Sequence, residues 1–158
     1  MTSAYTIRRA QASDAEVLVA FTIAEALEAE DARLPEEAVR RGVAGAFRDP
    51  PLARYWVAEQ SGEIAAHASV VTEWSNFNGG FYWWVQSLYL HPKHRGGGLV
   101  EMLLEHVASE ARKADALDLR LYAHASNTRA IRVYERCGFR TSPYIVMRRR
   151  LNRADPHD

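Results

Sequence analysis

Between Leu99 and Lys113 the apolar residues fall at Val100, Leu103, Leu104, Val107 and Ala111, with Glu101, Glu105 and Glu110 on the other side. That spacing predicts an amphipathic helix with one face on a core. An earlier helix is predicted by Val17, Phe21, Ala24 and Leu27, and Ser13-Asp14-Ala15-Glu16 before it has the spacing of a capping box. Pro35 suits the first turn of a second helix running towards Phe47, which Gly42 and Gly45 weaken by about 1 kcal/mol each relative to Ala.

Strand periodicity occupies the rest. Tyr5 to Arg9 alternates. Tyr55 to Glu59 and Ile64 to Trp74 flank the turn Ser61-Gly62, and Phe81 to Leu90 follows Asn78-Gly79-Gly80 and is broken by His91-Pro92. Leu117 to Ala123 predicts another strand. Asn127 to Cys137 predicts a short helix closed by Gly138, and Tyr144 to Leu151 a last strand. A meander of antiparallel strands is thus followed by a strand, a helix and a strand, the order of a right-handed parallel crossover. The expected class is α/β with a mixed, mainly antiparallel sheet and flanking helices.

With 158 residues, 47% hydrophobic and 25% charged, the chain suits a single domain over residues 1–158, the last residues from about 152 forming a disordered tail. Lys plus Arg equals Asp plus Glu at 20 each, so no basic field favours nucleic acid or an anionic membrane. Cys137 is the sole cysteine, which leaves no intrachain disulfide. The longest apolar-rich stretch, Val17 to Leu27, is interrupted by Thr22 and Glu25 and is far shorter than the roughly 20 residues of a membrane span. A cytoplasmic location is expected.

Chemistry concentrates at Arg95-Gly96-Gly97-Gly98, between a strand and a helix. Glycines let the backbone turn tightly and let a ligand approach its N–H groups, and the helix start adds free N–H groups and a positive dipole end. Arg95 adds charge. A glycine triplet by itself is equally compatible with a flexible turn. Leu99 and Val100 stand where a nucleotide-hydrolysing loop needs Lys and Ser or Thr, and the turn does not follow the first strand of a parallel array as in a dinucleotide fold.

The run Leu88-Tyr89-Leu90-His91-Pro92-Lys93-His94-Arg95-Gly96-Gly97-Gly98-Leu99, continuing to Leu103-Leu104, resembles the acetyl-CoA motif of the GNAT superfamily of N-acetyltransferases. Asn127-Thr128-Arg129-Ala130-Ile131, then Tyr134 and Gly138-Phe139, is similar to that family's later helix. The resemblance covers roughly the C-terminal half. It implies a sheet splayed between the Phe81 to Leu90 and Leu117 to Ala123 strands, with the pantetheine arm of acetyl-CoA in the gap and its acyl carbonyl against Leu88, Tyr89 and Leu90. The pyrophosphate would sit on Arg95, Gly96, Gly97, Gly98, Leu99 and Val100, and Asn127 would touch the pantetheine. One position departs from the pattern. Val100 stands where the family has Gly or Ala, and its side chain either crowds the phosphate or points to the core.

Acyl transfer to an amine needs a deprotonated nucleophile, an oxyanion site and an acid for the leaving thiolate. Tyr134, seven residues after Asn127 as in the family, is the expected acid. The strand stretch Trp84-Val85-Gln86-Ser87 holds no carboxylate, so Glu73 and His124 stand as candidates for the base, each with a solvated or structural role as its alternative. Cys137 has no histidine or acid in sequence relation to it, which favours packing over nucleophilic attack. His91 and His94 match no metal-ligand spacing, and no metal is expected. Of the adjacent Trp83 and Trp84, one must face away from the core, where an aromatic wall would suit a cationic amine. Arg148, Arg149 and Arg150 fit a solvated edge strand.

The expected function is transfer of acetyl from acetyl-CoA to a primary amine, small or peptidic, by direct attack in a ternary complex. A non-catalytic acyl-CoA-binding sensor is the alternative. Sheet edges and exposed aromatics are compatible with a homodimer.

Overall fold

The computed structural model describes residues 4–151. Its sheet has five strands in the order of the chain: β1 Thr6–Arg9, β2 Arg54–Gln60, β3 Glu63–Ser75, β4 Gly80–Leu90 and β5 Asp118–Leu121. β1 to β4 are antiparallel neighbours, and β5 runs parallel to β4 after crossing over through a helix. The mixed class and the crossover thus agree with the sequence pattern. Two turns are made by glycines in the left-handed region, Gly62 (φ 81°) and Gly79 (φ 63°), as their hairpins require.

Helices cover the two sheet faces. α1 Ala15–Glu30 and α2 Glu36–Ala44 bury Leu18, Val19, Val39 and Val43 against Tyr55 and Val57. On the other face, α3 Leu99–Lys113 buries Leu99, Leu103, Leu104, Val107 and Ala111 against Trp56, Ala66, Ala68, Val70 and Trp83. Leu103, Leu104, Val107 and Ala111 lie on the stripe predicted by its period, joined by Leu99, while Val100 is half-buried and the glutamates stay outside the stripe. α4 Thr128–Arg136 closes the described structure on that side, its Tyr134 packed with Phe139 and Cys137 against the α3 core.

Three expectations change. The N-cap position of α1 is Asp14 and not Ser13, with no side-chain cap bond into the helix: a 3-10 turn over Ala12–Asp14 precedes it, and the Asp14 carboxylate accepts the Gln11 N–H at 2.7 Å and is held by Arg8 at 2.8 Å. β5 is shorter than Leu117 to Ala123. Tyr144 to Leu151 forms no strand, and Tyr144, Ile145, Val146, Met147 and Leu151 are exposed. Alternation and β-branched residues give this segment strand propensity, but a strand exists only where its backbone finds an edge to pair with. The expected tail from about 152 lies outside the described residues.

Among the described residues no helix is long and apolar enough to cross a membrane.

Candidate functional site

β4 pairs with β5 only from Tyr82 to Val85, where Val85 faces Leu121. Beyond that point β4 runs on through Gln86 to Leu90 without a partner on that side, so the sheet opens into a gap. The Leu88 N–H in the gap donates to Glu25 Oε1 at 2.9 Å instead of to a neighbouring strand.

The glycine turn lies at the far end of this gap. After β4 a 3-10 turn over Pro92–His94 redirects the chain, with the Lys93 N–H donating to His91 Nδ1 at 3.3 Å. Gly96 (φ 82°) and Gly98 (φ 79°) are both left-handed, which L side chains rarely adopt, and Gly98 is the residue from which α3 springs. A Cβ at Gly96, Gly97 or Gly98 would meet nothing within 4 Å, so the turn has an open face beside the unpaired N–H groups of the first turn of α3. That arrangement fits a phosphate group. Val100 is half-buried and packs against the core that α3 covers. Leu99 is buried and anchors the helix start.

Arg95 faces back towards α1. Its Nε donates to the Leu90 carbonyl at 3.0 Å and its guanidinium pairs with Glu28 at 2.6 Å, while the Tyr89 hydroxyl donates to the same carboxylate at 3.1 Å. Arg95 therefore ties the turn to α1.

On α4, Asn127 is the N-cap, its Oδ1 accepting the Ala130 N–H at 3.2 Å. Tyr134 is largely enclosed. Burial pushes its phenol above the usual tyrosine value, and the negative charge of Glu25 pushes it the same way, so the hydroxyl keeps its proton at neutral pH. The Cys137 thiol is raised by burial first and by Glu101 second, as expected of a packing cysteine and not of a nucleophile.

The network that fills the α1 side of the gap was not anticipated from the sequence. His67 on β3 is fully buried, and its Nε2 lies 2.9 Å from Ser87 Oγ on β4. Ser87 Oγ donates a very short hydrogen bond to Glu25 Oε2 on α1. With the serine proton directed at the carboxylate, His67 donates to Ser87 Oγ through Nε2–H, and its Nδ1 has no hydrogen-bond partner among the described residues. Phe21 and Tyr55 stand edge-on to the imidazole at 5.8 and 5.5 Å. Glu25 and Ser87 line a cavity of about 330 Å³ bounded by α1, α2 and β4. A polar residue inside an apolar helical stretch (Glu25) and a histidine inside an apolar strand (His67) were the signals available in the sequence.

The sequence-based base candidates lie elsewhere. Glu73 accepts the Trp84 indole N–H at 2.8 Å, and His124 Nδ1 is 2.7 Å from Ser126 Oγ on an exposed loop; neither lines the cavity. Of the two tryptophans, Trp83 is buried against Trp56 and Trp84 faces outward, stacked on Tyr122 at 4.5 Å. Arg120 lies 3.5 Å from the Tyr82 ring and is paired with Asp118.

Comparison with solved structures places this architecture. A possible acetyltransferase from Clostridium difficile 630 superposes with a TM-score of 0.87 at 23% identity, over 94% of this chain and 99% of that one. A predicted acetyltransferase from Clostridium acetobutylicum, solved with acetyl-CoA, superposes with a TM-score of 0.78 at 20% identity, over 92% and 96% of the two chains. In sequence, the L-methionine sulfoximine/L-methionine sulfone acetyltransferase of Salmonella typhimurium is 32% identical over 83 residues, which are 52% of this chain and 48% of that protein. The chain thus spans about half the length of that curated relative. The acetyltransferase (GNAT) family profile matches residues 17–139, a stretch that contains α1 with Glu25, the splayed strand, the glycine turn and Tyr134. By that match, the chain belongs to the acetyltransferase (GNAT) family.

Proposed function

We propose that the protein transfers the acetyl group of acetyl-CoA to a primary amine, both substrates being bound together. The observation that carries this reading is the opening of the sheet beyond Val85 and Leu121, which has an anion-binding turn at one end and a carboxylate-lined cavity on one side. Acetyl-CoA brings the activated thioester. The turn from Arg95 to Val100 would hold its pyrophosphate, and Leu88, Tyr89, Leu90 and Asn127 would flank the extended arm.

The chain's own residues then divide the proton work. An amine of the lysine type is almost wholly protonated at pH 7, and taking it to the neutral nucleophile costs about 4 kcal/mol. Glu25 stands where an acceptor's proton can be received, directly or through Ser87, and is better placed for this than Glu73 or His124. Tyr134, kept protonated by its burial, would supply a proton to the departing sulfur. The Salmonella relative is named for L-methionine sulfoximine and sulfone, amines that also carry a carboxylate. A cytoplasmic location and a homodimer fit this reading.

Thiol release from acetyl-CoA with a panel of primary amines tests it. Tyr134→Phe is expected to lower kcat by about 10²-fold with CoA affinity unchanged. Equal rates would remove Tyr134 as the acid, and CoA binding without turnover of any amine would identify a sensor.

A further inference from the structure

The cavity between α1, α2 and β4 has a one-sided charge pattern. Among the described residues its charged lining is Glu25 and Glu30, and no Lys, Arg or His lines it. The apolar walls come from Leu34, Val39 and Val43, and small residues such as Ala26 and Gly42 leave the room. Glu25 is fixed, not floating: one oxygen accepts the Leu88 N–H and the other the Ser87 hydroxyl, which in turn is backed by fully buried His67. Arg95, on the turn at the end of β4, is committed to Glu28.

We propose that this cavity selects a cationic amine that carries no carboxylate, with Glu25 as the counter-ion that seats its ammonium beside β4. The proposal rests on the acetyltransferase reading for what happens to the amine afterwards. An ammonium against Glu25 gains a partner held in place before binding. An α-amino acid would set its own carboxylate within a few ångströms of the same group, with no cation in the lining to receive it. At about 6 Å and an effective dielectric of about 20, that repulsion alone corresponds to roughly a hundredfold loss. The cavity volume of about 330 Å³ admits a diamine or an arylalkylamine.

The test uses pairs that differ by one carboxylate: cadaverine and lysine, agmatine and arginine, tyramine and tyrosine. Each is titrated calorimetrically into the CoA-loaded protein and assayed for thiol release. The expected result is a preference of about 30- to 100-fold for the decarboxylated member, collapsing to under about 5-fold in Glu25→Gln. Gln keeps an acceptor for Leu88 and a polar neighbour for Ser87, so the fold is retained. Ala29→Arg, which puts a cation on the exposed cavity wall, is expected to raise amino-acid binding at least about 10-fold. Equal or reversed preference in the natural protein, no binding by any amine, or a preference untouched in Glu25→Gln overturns the proposal. A binding preference without thiol release from any pair upholds the cavity assignment and sinks the acetyltransferase reading instead.

Discussion

The glycine turn and the Glu25 network meet the same short stretch of β4, one at its end and the other along its side, yet they are built from different materials. The turn is backbone: two left-handed glycines, a helix start and a strand end, all within about a dozen residues of one another. The network is side chain: Glu25 on α1, His67 on β3 and Ser87 on β4, with 62 positions between Glu25 and Ser87. A backbone site offers any anion the same donors, whereas a side-chain site specifies charge and shape. Under the proposed function, the division separates a donor site set by backbone from an acceptor site set by side chains.

Removing the proposed proton acceptor should separate the two halves most sharply. Glu25→Gln is expected to lower kcat/KM for amines by about 10²- to 10³-fold while CoA affinity stays within about 2-fold. Glu73→Gln and His124→Ala are expected to stay within about 3-fold, since Glu73 bonds to Trp84 and His124 to Ser126 and neither lines the cavity. Steady-state thiol release across the three variants decides the matter. A loss in Glu73→Gln that matched Glu25→Gln would move the base to the outer sheet.

The converse variant breaks the donor half alone. Gly98 sits at φ 79°, where a Cβ costs about 1–2 kcal/mol, so Gly98→Ala should shift the turn and weaken CoA binding by about 5- to 30-fold. Amine binding in the CoA-free protein should not change. Val100→Ala is expected to leave CoA affinity within about 2-fold, because Val100 packs against the core that α3 covers. Tenfold tighter binding in that variant would show that the valine crowds the turn after all.

This contrast also explains what could be read in advance. α3 was legible because its face is decided by one repeating stripe and its start by adjacent glycines, so all the determinants lie together in the chain. Glu25 was visible only as an interruption of Val17 to Leu27, and no local rule says that such an interruption will meet Ser87. Tyr144 to Leu151 failed for a related reason. Its pattern is that of a strand, but pairing is a property of two segments and the second is not written beside it. The capping box at Ser13 misled because Asp14, one residue later, has Arg8 to hold its carboxylate, and a charge-assisted bond outweighs a hydroxyl cap.

The smallest effect on chemistry, and one confined to stability, is expected at that clamp. Arg8 holds both Asp14 at the start of α1 and Glu59 on β2, so it fixes where the helix that carries Glu25 leaves the sheet. Arg8 is the main reason the Asp14 carboxyl titrates below the usual carboxylate range, with the Gln11 N–H contributing in the same direction. A carboxyl with a depressed folded-state value binds its proton more readily in the unfolded chain. Its contribution is therefore complete above about pH 4, the ordinary aspartate value, and is lost as the pH falls through the lower folded-state value. Asp14→Asn should cost about 1–3 kcal/mol at pH 7, with kcat/KM for amines unchanged within about 3-fold. Urea unfolding of the two proteins should give midpoints that converge as the pH is lowered from 5 to 2. A gap that persisted undiminished at pH 2 would mean that the shape of the cap, and not its charge, holds α1 in place.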